Sequence, residues 1–274
     1  MPKRTDLCQL MLLTILCVYA VADVAPAIAQ TPKELLEQSP RHGEWVKIAS
    51  SDDRVVNAFI VFPEIKEKAK SVIVIHEIFG LTDWIRLVCD KLAADGFVAI
   101  CPDLLSGKAP NGGGTEAFAS GDDVRSAIRE LDADGITRDL QAVMKYVQDL
   151  PSTTDKVAVS GFCWGGAQSF RFATNESSLA GAFVFYGSPP GAAEIGRIKC
   201  PVYGFYGEND NRINATIDET KETAKAAGIT YEPVIYPGVG HGFLRQGMED
   251  DANDMEKAAV QQAWERFVSL LNAL

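Results

Sequence analysis

The chain has 274 residues, of which 47% are hydrophobic and 23% charged, and its formal net charge is −11 at pH 7. This length and hydrophobic share predict a globular protein with a sizeable core and argue against a disordered chain. The acidic balance argues against electrostatic binding to nucleic acid or anionic lipid, so we expect neither as a partner. A pocket with local arginines could still accept an anionic substrate.

The first 29 residues have the organisation of a secretory signal peptide. Lys3 and Arg4 precede an apolar run over residues 10–22, and an Ala-Ile-Ala sequence ends at residue 29. These are the basic region, the apolar region and the cleavage site of such a peptide. We predict a signal peptide over residues 1–29, a mature domain over residues 30–274, and export to the periplasm or the medium. The apolar run is short for a membrane span, and an uncleaved anchor helix is the alternative.

Apolar, β-branched runs alternate with amphipathic segments along the mature domain. The runs predict strands at residues 44–50, 55–62, 71–75, 97–101, 156–160, 181–186, 202–206 and 231–236. The amphipathic segments predict helices at residues 83–94, 118–131, 136–150, 214–227 and 252–274. Strands that alternate with helices form a mostly parallel sheet with helices on both faces. The sequence therefore predicts one α/β domain, with its ligand site at the carboxyl ends of the strands.

A glycine-rich turn follows the strand predicted at residues 156–160. Its sequence is Gly161-Phe162-Cys163-Trp164-Gly165, which has the form G-x-nucleophile-x-G between a strand and a helix. That context defines a nucleophile elbow, in which the glycines allow a tight turn. The pattern predicts Cys163 as a nucleophile and the Trp164 backbone N–H as an oxyanion donor. The alternative is a buried cysteine in a glycine turn with no chemical role.

A histidine and an acid follow the last two predicted strands. His241 lies between two glycines after the strand at 231–236, where this kind of fold places its general base. Asp210 follows the strand at 202–206, where an acid can orient the histidine, and Glu208 is its local rival. The order Cys163, Asp210, His241 is the nucleophile–acid–histidine order of α/β-hydrolases. Together the three residues predict a hydrolase that forms an acyl-enzyme.

Five segments resemble the dienelactone hydrolase family. They are H-E-I-F-G-L at 76–81, C-P-D-L at 101–104, G-F-C-W-G-G at 161–166, G-E-N-D-N-R-I at 207–213 and H-G-F-L-R at 241–245. The resemblance implies a single-domain α/β-hydrolase fold. It also implies hydrolysis of a lactone or carboxylic ester through a thioester, without a metal or a cofactor. We expect a small-molecule substrate and a monomeric enzyme.

The resemblance assigns roles to the segment after the strand at 71–75. Glu77 matches the family glutamate that contacts the resting thiol, and it would accept the thiol proton when substrate binds. The Ile78 backbone N–H matches the second oxyanion donor, which would act with that of Trp164. We expect His76 to orient this loop through hydrogen bonding, and we assign it no chemistry.

The resemblance also points to arginines that bind a substrate carboxylate. Arg245 matches one of them, although a plain surface arginine is the alternative reading. For the second we assign Arg125, with Arg129 as the other candidate, although the surrounding pattern departs from that of the family. Two further functions stay open. One is an exported general carboxylesterase with a different pocket, and the other is a non-catalytic binding protein on the same fold.

Overall fold

The computed structural model describes residues 30–51 and 53–274, so the predicted signal peptide lies outside the described residues. Eight strands form one sheet. They are β1 (Gly43–Ser51), β2 (Arg54–Val61), β3 (Ala69–Ile75), β4 (Val98–Pro102), β5 (Thr153–Phe162), β6 (Gly181–Phe185), β7 (Val202–Gly207) and β8 (Tyr231–Tyr236). All eight coincide with strands that the sequence predicts, with differences at their ends.

The helices connect these strands and flank the sheet. They are α1 (Pro32–Glu37), α2 (Asp83–Ala94), α3 (Gly121–Arg129), α4 (Ala133–Gln148), α5 (Trp164–Asn175), α6 (Ala192–Ile195), α7 (Asn211–Asn214), α8 (Ile217–Ala226), α9 (Phe243–Gln246) and α10 (Asp254–Ala273). A short 3-10 turn at Thr115–Ala117 precedes α3. Within the described part of the chain, no helix is both long and apolar enough to cross a membrane.

The sheet is parallel from β4 to β8 and antiparallel only at one edge. Its strand order is β1-β2-β4-β3-β5-β6-β7-β8, with β1 antiparallel to β2 and β2 antiparallel to β4. At the carboxyl edge, Ile75 of β3 is paired with Gly161 of β5, and Phe162 is paired with Phe185 of β6. The loops that follow β3, β5 and β6 therefore leave the sheet side by side.

Helices cover both faces of the sheet, as the alternation of strands and helices predicts. One apolar layer packs under α4 and α8 and contains Leu140 and Val143. The other packs under α2 and α10 and contains Leu92 and Phe267. Strands such as β6 are buried on both faces, which explains their continuous apolar sequences. The predicted α/β-hydrolase fold in a single domain is confirmed.

The helix predicted at 214–227 begins later in the structure, as α8, and a separate short helix, α7, precedes it. Asp210 caps α7 by accepting a hydrogen bond from the Ile213 amide, and α8 begins only at Ile217. Four short helices were not predicted, α1, α6, α7 and α9, because segments of four to six residues are too short to show a helical period.

Candidate active site

Cys163 stands at the turn between β5 and α5, in a strained backbone conformation. Its φ is 56° and its ψ is −115°, a region that residues with a side chain seldom adopt. The Cys163 amide donates a hydrogen bond to the Phe185 carbonyl at 3.0 Å, which fixes the turn to β6. A Cβ on Gly161 would overlap the Gly165 carbonyl oxygen, so the elbow needs glycine there. The turn leaves the Cys163 side chain half-buried at the carboxyl edge of the sheet.

The loops after β7 and β8 bring Asp210 and His241 into direct contact. His241 Nδ1 lies 2.5 Å from Asp210 Oδ2, and the carboxylate is buried. The other oxygen, Oδ1, accepts a hydrogen bond from the Ile213 amide at 3.4 Å. Because the carboxylate is an acceptor, the proton lies on Nδ1 and Nε2 is left as the basic nitrogen. Glu208, the rival acid, instead accepts a hydrogen bond from the Gly238 amide at 2.8 Å.

The protonation of His241 links it to both predicted partners. Hydrogen bonding with Cys163 raises the pKa of His241 above its ordinary value, burial opposes this, and the hydrogen bond with Asp210 adds to it. A raised pKa means that the surroundings favour the imidazolium form, which is the form the histidine takes after it accepts a thiol proton. The effect of Cys163 on this pKa indicates that the thiol lies near the imidazole, and the hydrogen bond between His241 and Asp210 joins the loops after β7 and β8.

Glu77 lies directly after β3 and is buried, but its partner is an arginine. Glu77 Oε2 accepts a hydrogen bond from Arg245 Nε at 3.0 Å. Burial raises the pKa of Glu77, and the Arg245 charge opposes that shift only in part. Across the residues that the structure describes, no hydrogen bond joins Glu77 to Cys163. The contact with the resting thiol remains a prediction.

The two predicted oxyanion donors begin adjacent segments at the same edge. Ile78 lies in the loop after β3 and Trp164 is the first residue of α5. The Trp164 amide is one of the helix N-terminal N–H groups that have no intrahelical acceptor. The pairing of Ile75 with Gly161 brings these two segments beside each other. The role of these two amides as oxyanion donors remains a prediction.

The structure brings both predicted substrate-binding arginines to one aromatic ring. The guanidinium carbons of Arg125 and Arg245 lie 6.0 and 5.6 Å from the centre of the Phe79 ring, which is 38% exposed. Arg125 is also paired with Asp122, its neighbour on α3. Arg129, the other candidate, is exposed one turn further along the same helix.

Tyr186 is a residue of the site that sequence reasoning missed. Its φ is 41°, and its ring meets the His241 ring edge-on with centroids 5.1 Å apart. Its buried hydroxyl has no hydrogen-bond partner among the described residues. Burial raises the pKa of Tyr186 well above its ordinary value, so the hydroxyl keeps its proton. In the sequence it is one more aromatic residue at the end of an apolar strand, and no local signal distinguishes it.

The described residues contain no group of three or more His, Cys, Asp or Glu side chains arranged to hold a metal ion. Of the cysteines at 89, 101, 163 and 200, all four are free thiols, and only Cys163 is not fully buried. Cys163, His241 and Asp210 offer the chemistry of a thiol near a histidine and an acid.

Comparisons with known proteins identify the family of this chain. The profile of the Dienelactone hydrolase family matches residues 56–274. A protein of Aquifex aeolicus, provisionally named carboxymethylenebutenolidase, is 31% identical over 227 residues, which are 78% of this chain and 91% of that protein. One of the same provisional name from Methylorubrum extorquens is 29% identical over 261 residues, covering 91% of this chain and 86% of that protein.

Solved structures show the same fold. A Klebsiella pneumoniae protein, provisionally named dienelactone hydrolase, superposes with a TM-score of 0.74 at 23% identity, over 85% of this chain and 99% of that one. A dienelactone hydrolase-like promiscuous phosphotriesterase from metagenomic libraries gives 0.70 at 21% identity, over 85% and 98%. The family profile covers most of the chain, and the resemblance to this family is confirmed. The chain therefore belongs to the dienelactone hydrolase family.

Proposed function

We propose that this protein cleaves a lactone or carboxylic ester by acyl transfer to Cys163, with His241 as general base and Asp210 as the acid that orients it. Membership of the dienelactone hydrolase family makes the chain a lactone or ester hydrolase. The proposal adds the three catalytic residues and the covalent acyl-enzyme on Cys163. The observation that carries it is the 2.5 Å contact between His241 and Asp210, beside a cysteine held at a strained elbow.

The reaction begins when the Cys163 thiol proton passes, by way of the Glu77 carboxylate, to His241 Nε2. The thiolate sulfur attacks the carbonyl carbon, and the resulting oxyanion accepts hydrogen bonds from the Ile78 and Trp164 amides. The carbon–oxygen bond of the lactone or ester then breaks, the leaving oxygen takes the proton from the imidazolium, and a thioester remains. His241 next removes a proton from water, which attacks the thioester. The carboxylic acid leaves and the thiol is restored.

Glu77 has a role in the first of these steps, because the thiol proton reaches His241 through its carboxylate. A thiolate in an exported protein is prone to oxidation, so a neutral resting thiol is an advantage. We assign to Glu77 the acceptance of the thiol proton on substrate binding. Burial supports this assignment because it raises the pKa of Glu77 and so favours the protonated carboxyl. Arg245, which holds the carboxylate in this structure, competes with the thiol for it.

The pair of arginines around Phe79 supports an anionic substrate such as dienelactone. A carboxylate between Arg125 and Arg245 would meet two guanidinium groups, which bind planar anions with paired hydrogen bonds. One observation favours a second candidate, a carboxylesterase that acts on neutral esters. Arg245 is already paired with both Glu77 and Glu249, so a substrate anion must displace carboxylates that are present in the protein.

The test is hydrolysis of dienelactone and of p-nitrophenyl acetate by the mature protein and by Cys163→Ala. Cys200→Ala serves as the matched control, because Cys200 is a buried thiol outside the site. We expect Cys163→Ala to lose turnover of every substrate that the wild type accepts, and Cys200→Ala to keep it. Mass spectrometry of the wild type quenched during p-nitrophenyl acetate turnover should show an acetyl group on the peptide with Cys163. Full turnover by Cys163→Ala would overturn the proposal.

Hydrolysis of dienelactone would support an enzyme that acts on anionic substrates. Hydrolysis of p-nitrophenyl acetate alone, still dependent on Cys163, would select the carboxylesterase. A folded wild type that binds either compound without cleaving it would contradict both and support a binding protein.

A further inference from the structure

The carbonyl of Glu77 is held by two hydrogen bonds. His76 Nδ1 lies 2.8 Å from this oxygen, and the Gly80 amide donates to it at 3.2 Å. The Glu77 carbonyl and the Ile78 N–H belong to the same planar peptide group, so their directions are fixed relative to each other. Whatever holds the Glu77 carbonyl therefore also sets the direction of the Ile78 N–H.

His76 is itself held in one protonation state. The Leu104 amide donates to Nε2 at 3.4 Å, so Nε2 carries no proton and Nδ1 is the donor. The side chain is fully buried, and burial lowers the pKa of His76, which keeps the imidazole neutral. Its ring also stacks on the Trp164 ring at 5.4 Å with 16° between the planes. His76 thus contacts the peptide group that carries the Ile78 N–H and also the ring of Trp164.

A second contact holds the far end of the same loop. Thr115 Oγ1 accepts a hydrogen bond from the Leu81 amide at 3.0 Å and donates to Asp103 Oδ1 at 2.7 Å. The Thr115 amide donates to Asp103 Oδ2 at 2.7 Å, so the buried aspartate fixes the threonine in place. Gly80 has a φ of +74°, and a Cβ there would overlap the Thr115 side chain. The loop can approach Thr115 this closely only because glycine occupies position 80.

We propose that His76 and Thr115 are positioning residues for the oxyanion hole: they hold residues 77–81 so that the Ile78 N–H points at the developing oxyanion. The inference rests on the proposed function, because the oxyanion hole has a role only in acyl transfer. Neither residue contacts the reacting atoms. Their effect comes from preorganisation, since a donor already aimed at the transition-state charge needs no rearrangement during the reaction.

The main test compares His76→Phe with His76→Asn. Phenylalanine keeps a ring for Trp164 to stack on and removes both hydrogen bonds. Asparagine keeps an N–H close to the position of Nδ1. We expect His76→Phe to lower kcat for p-nitrophenyl acetate by about 10- to 100-fold, since loss of a whole oxyanion donor costs about 100- to 1,000-fold. KM should stay within about threefold of the wild type, and His76→Asn should regain most of kcat.

Alkylation of Cys163 by iodoacetamide separates positioning from general damage. This reaction needs the thiolate and develops no oxyanion on a carbonyl, so its rate in His76→Phe should stay within about twofold of the wild type. A kcat for His76→Phe within twofold of the wild type would overturn the proposal. So would alkylation that slows as much as kcat, because that result would mean that the whole site has collapsed.

Thr115→Val and Thr115→Ser provide a second pair if His76→Phe does not fold. Valine keeps the shape without the hydroxyl and should lower kcat, whereas serine should restore it. Amide hydrogen exchange over residues 77–81 gives a result that needs no turnover. Faster exchange in the Val and Phe variants but not in their Ser and Asn counterparts supports the proposal, and unchanged exchange overturns it. If the wild type hydrolyses no ester, the proposed function fails, and exchange alone then decides whether these residues hold the loop.

Discussion

Glu77 and Arg245, 168 residues apart in the chain, form a 3.0 Å ion pair that joins the loop after β3 to α9. The pair joins two residues to which the family resemblance assigns separate tasks, one toward the thiol and one toward the substrate. In this structure each side chain occupies a charged group that the other residue's proposed task requires. If Arg245 binds a substrate carboxylate as proposed, its hold on Glu77 would weaken, and a Glu77 carboxyl that turned toward the thiol would leave Arg245 free for substrate.

The first prediction concerns Arg245→Met, which keeps the apolar stem and removes the charge. If the substrate is anionic, we expect KM for dienelactone to rise about tenfold or more, because a charged hydrogen bond contributes about 1.5–3 kcal/mol. KM for neutral p-nitrophenyl acetate should change less than threefold. Steady-state kinetics on both substrates are the measurement, with Arg138→Met as the control because Arg138 is exposed on α4 and has no proposed role in the site. An equal effect on the two substrates would contradict a carboxylate-binding role.

Local sequence patterns predicted most of the fold because its strands are continuous apolar runs between clear turns. The elbow at Cys163 and the loops with Asp210 and His241 were found in the same way, since each directly follows a strand. The sequence did not predict which side chain contacts Glu77. Its partner Arg245 comes from the far end of the chain, and only the folded loops show that they meet.

Tyr186 and Thr115 are two further residues whose roles depend on tertiary contacts and could not be predicted from the sequence. Tyr186 is a residue of the site because of a positive φ and its packing on His241, which are tertiary properties. Thr115 matters through hydrogen bonds to Leu81 and Asp103, and in the sequence it is one more polar residue in a glycine-rich loop. Neither residue type nor local spacing distinguishes them.

The second prediction separates Asp210 from its neighbour Glu208. Hydrogen bonding to Asp210 is one of the causes that raise the pKa of His241, so Asp210→Asn should lower that pKa toward the ordinary value. We expect kcat to fall by a factor of about 10⁴, the loss known when a triad aspartate becomes asparagine. NMR titration of the histidine ring protons and steady-state kinetics measure both effects. Glu208→Gln is the control and should leave both unchanged, and the reverse pattern would transfer the role to Glu208.

The third prediction is that the protein is exported and begins at Gln30. The basic and apolar regions and the Ala-Ile-Ala sequence before that residue support cleavage there. Expression in a Gram-negative host, followed by fractionation and intact-mass measurement, should give a periplasmic or secreted chain of residues 30–274. Ala29→Lys should block cleavage, and Ala49→Lys in β1 serves as a control outside the cleavage site. A cytoplasmic full-length chain would contradict export, and a full-length chain in the membrane would support an anchor helix.

The last prediction concerns the pH dependence of stability in Glu77→Gln. Burial raises the folded-state pKa of Glu77 above its usual 4.5. The folded state therefore holds this proton more tightly than the unfolded state does. The stability that Glu77 contributes is fully present below pH 4.5 and is lost as pH rises through the raised pKa. Glutamine does not titrate, so the variant avoids that loss.

We therefore expect the free energy of unfolding of Glu77→Gln, relative to the wild type, to increase between pH 4 and pH 7. The increase should be about 1.4 kcal/mol for each unit by which the pKa is raised. Urea unfolding at several pH values measures it, with Glu232→Gln as the control, since Glu232 is an exposed carboxylate on β8. The loss of the Arg245 contact does not disturb the comparison, because the folded-state pKa already includes that contact. A relative stability that falls as pH rises would mean that the ion pair outweighs burial, and Glu77 would then be a poor acceptor for the thiol proton.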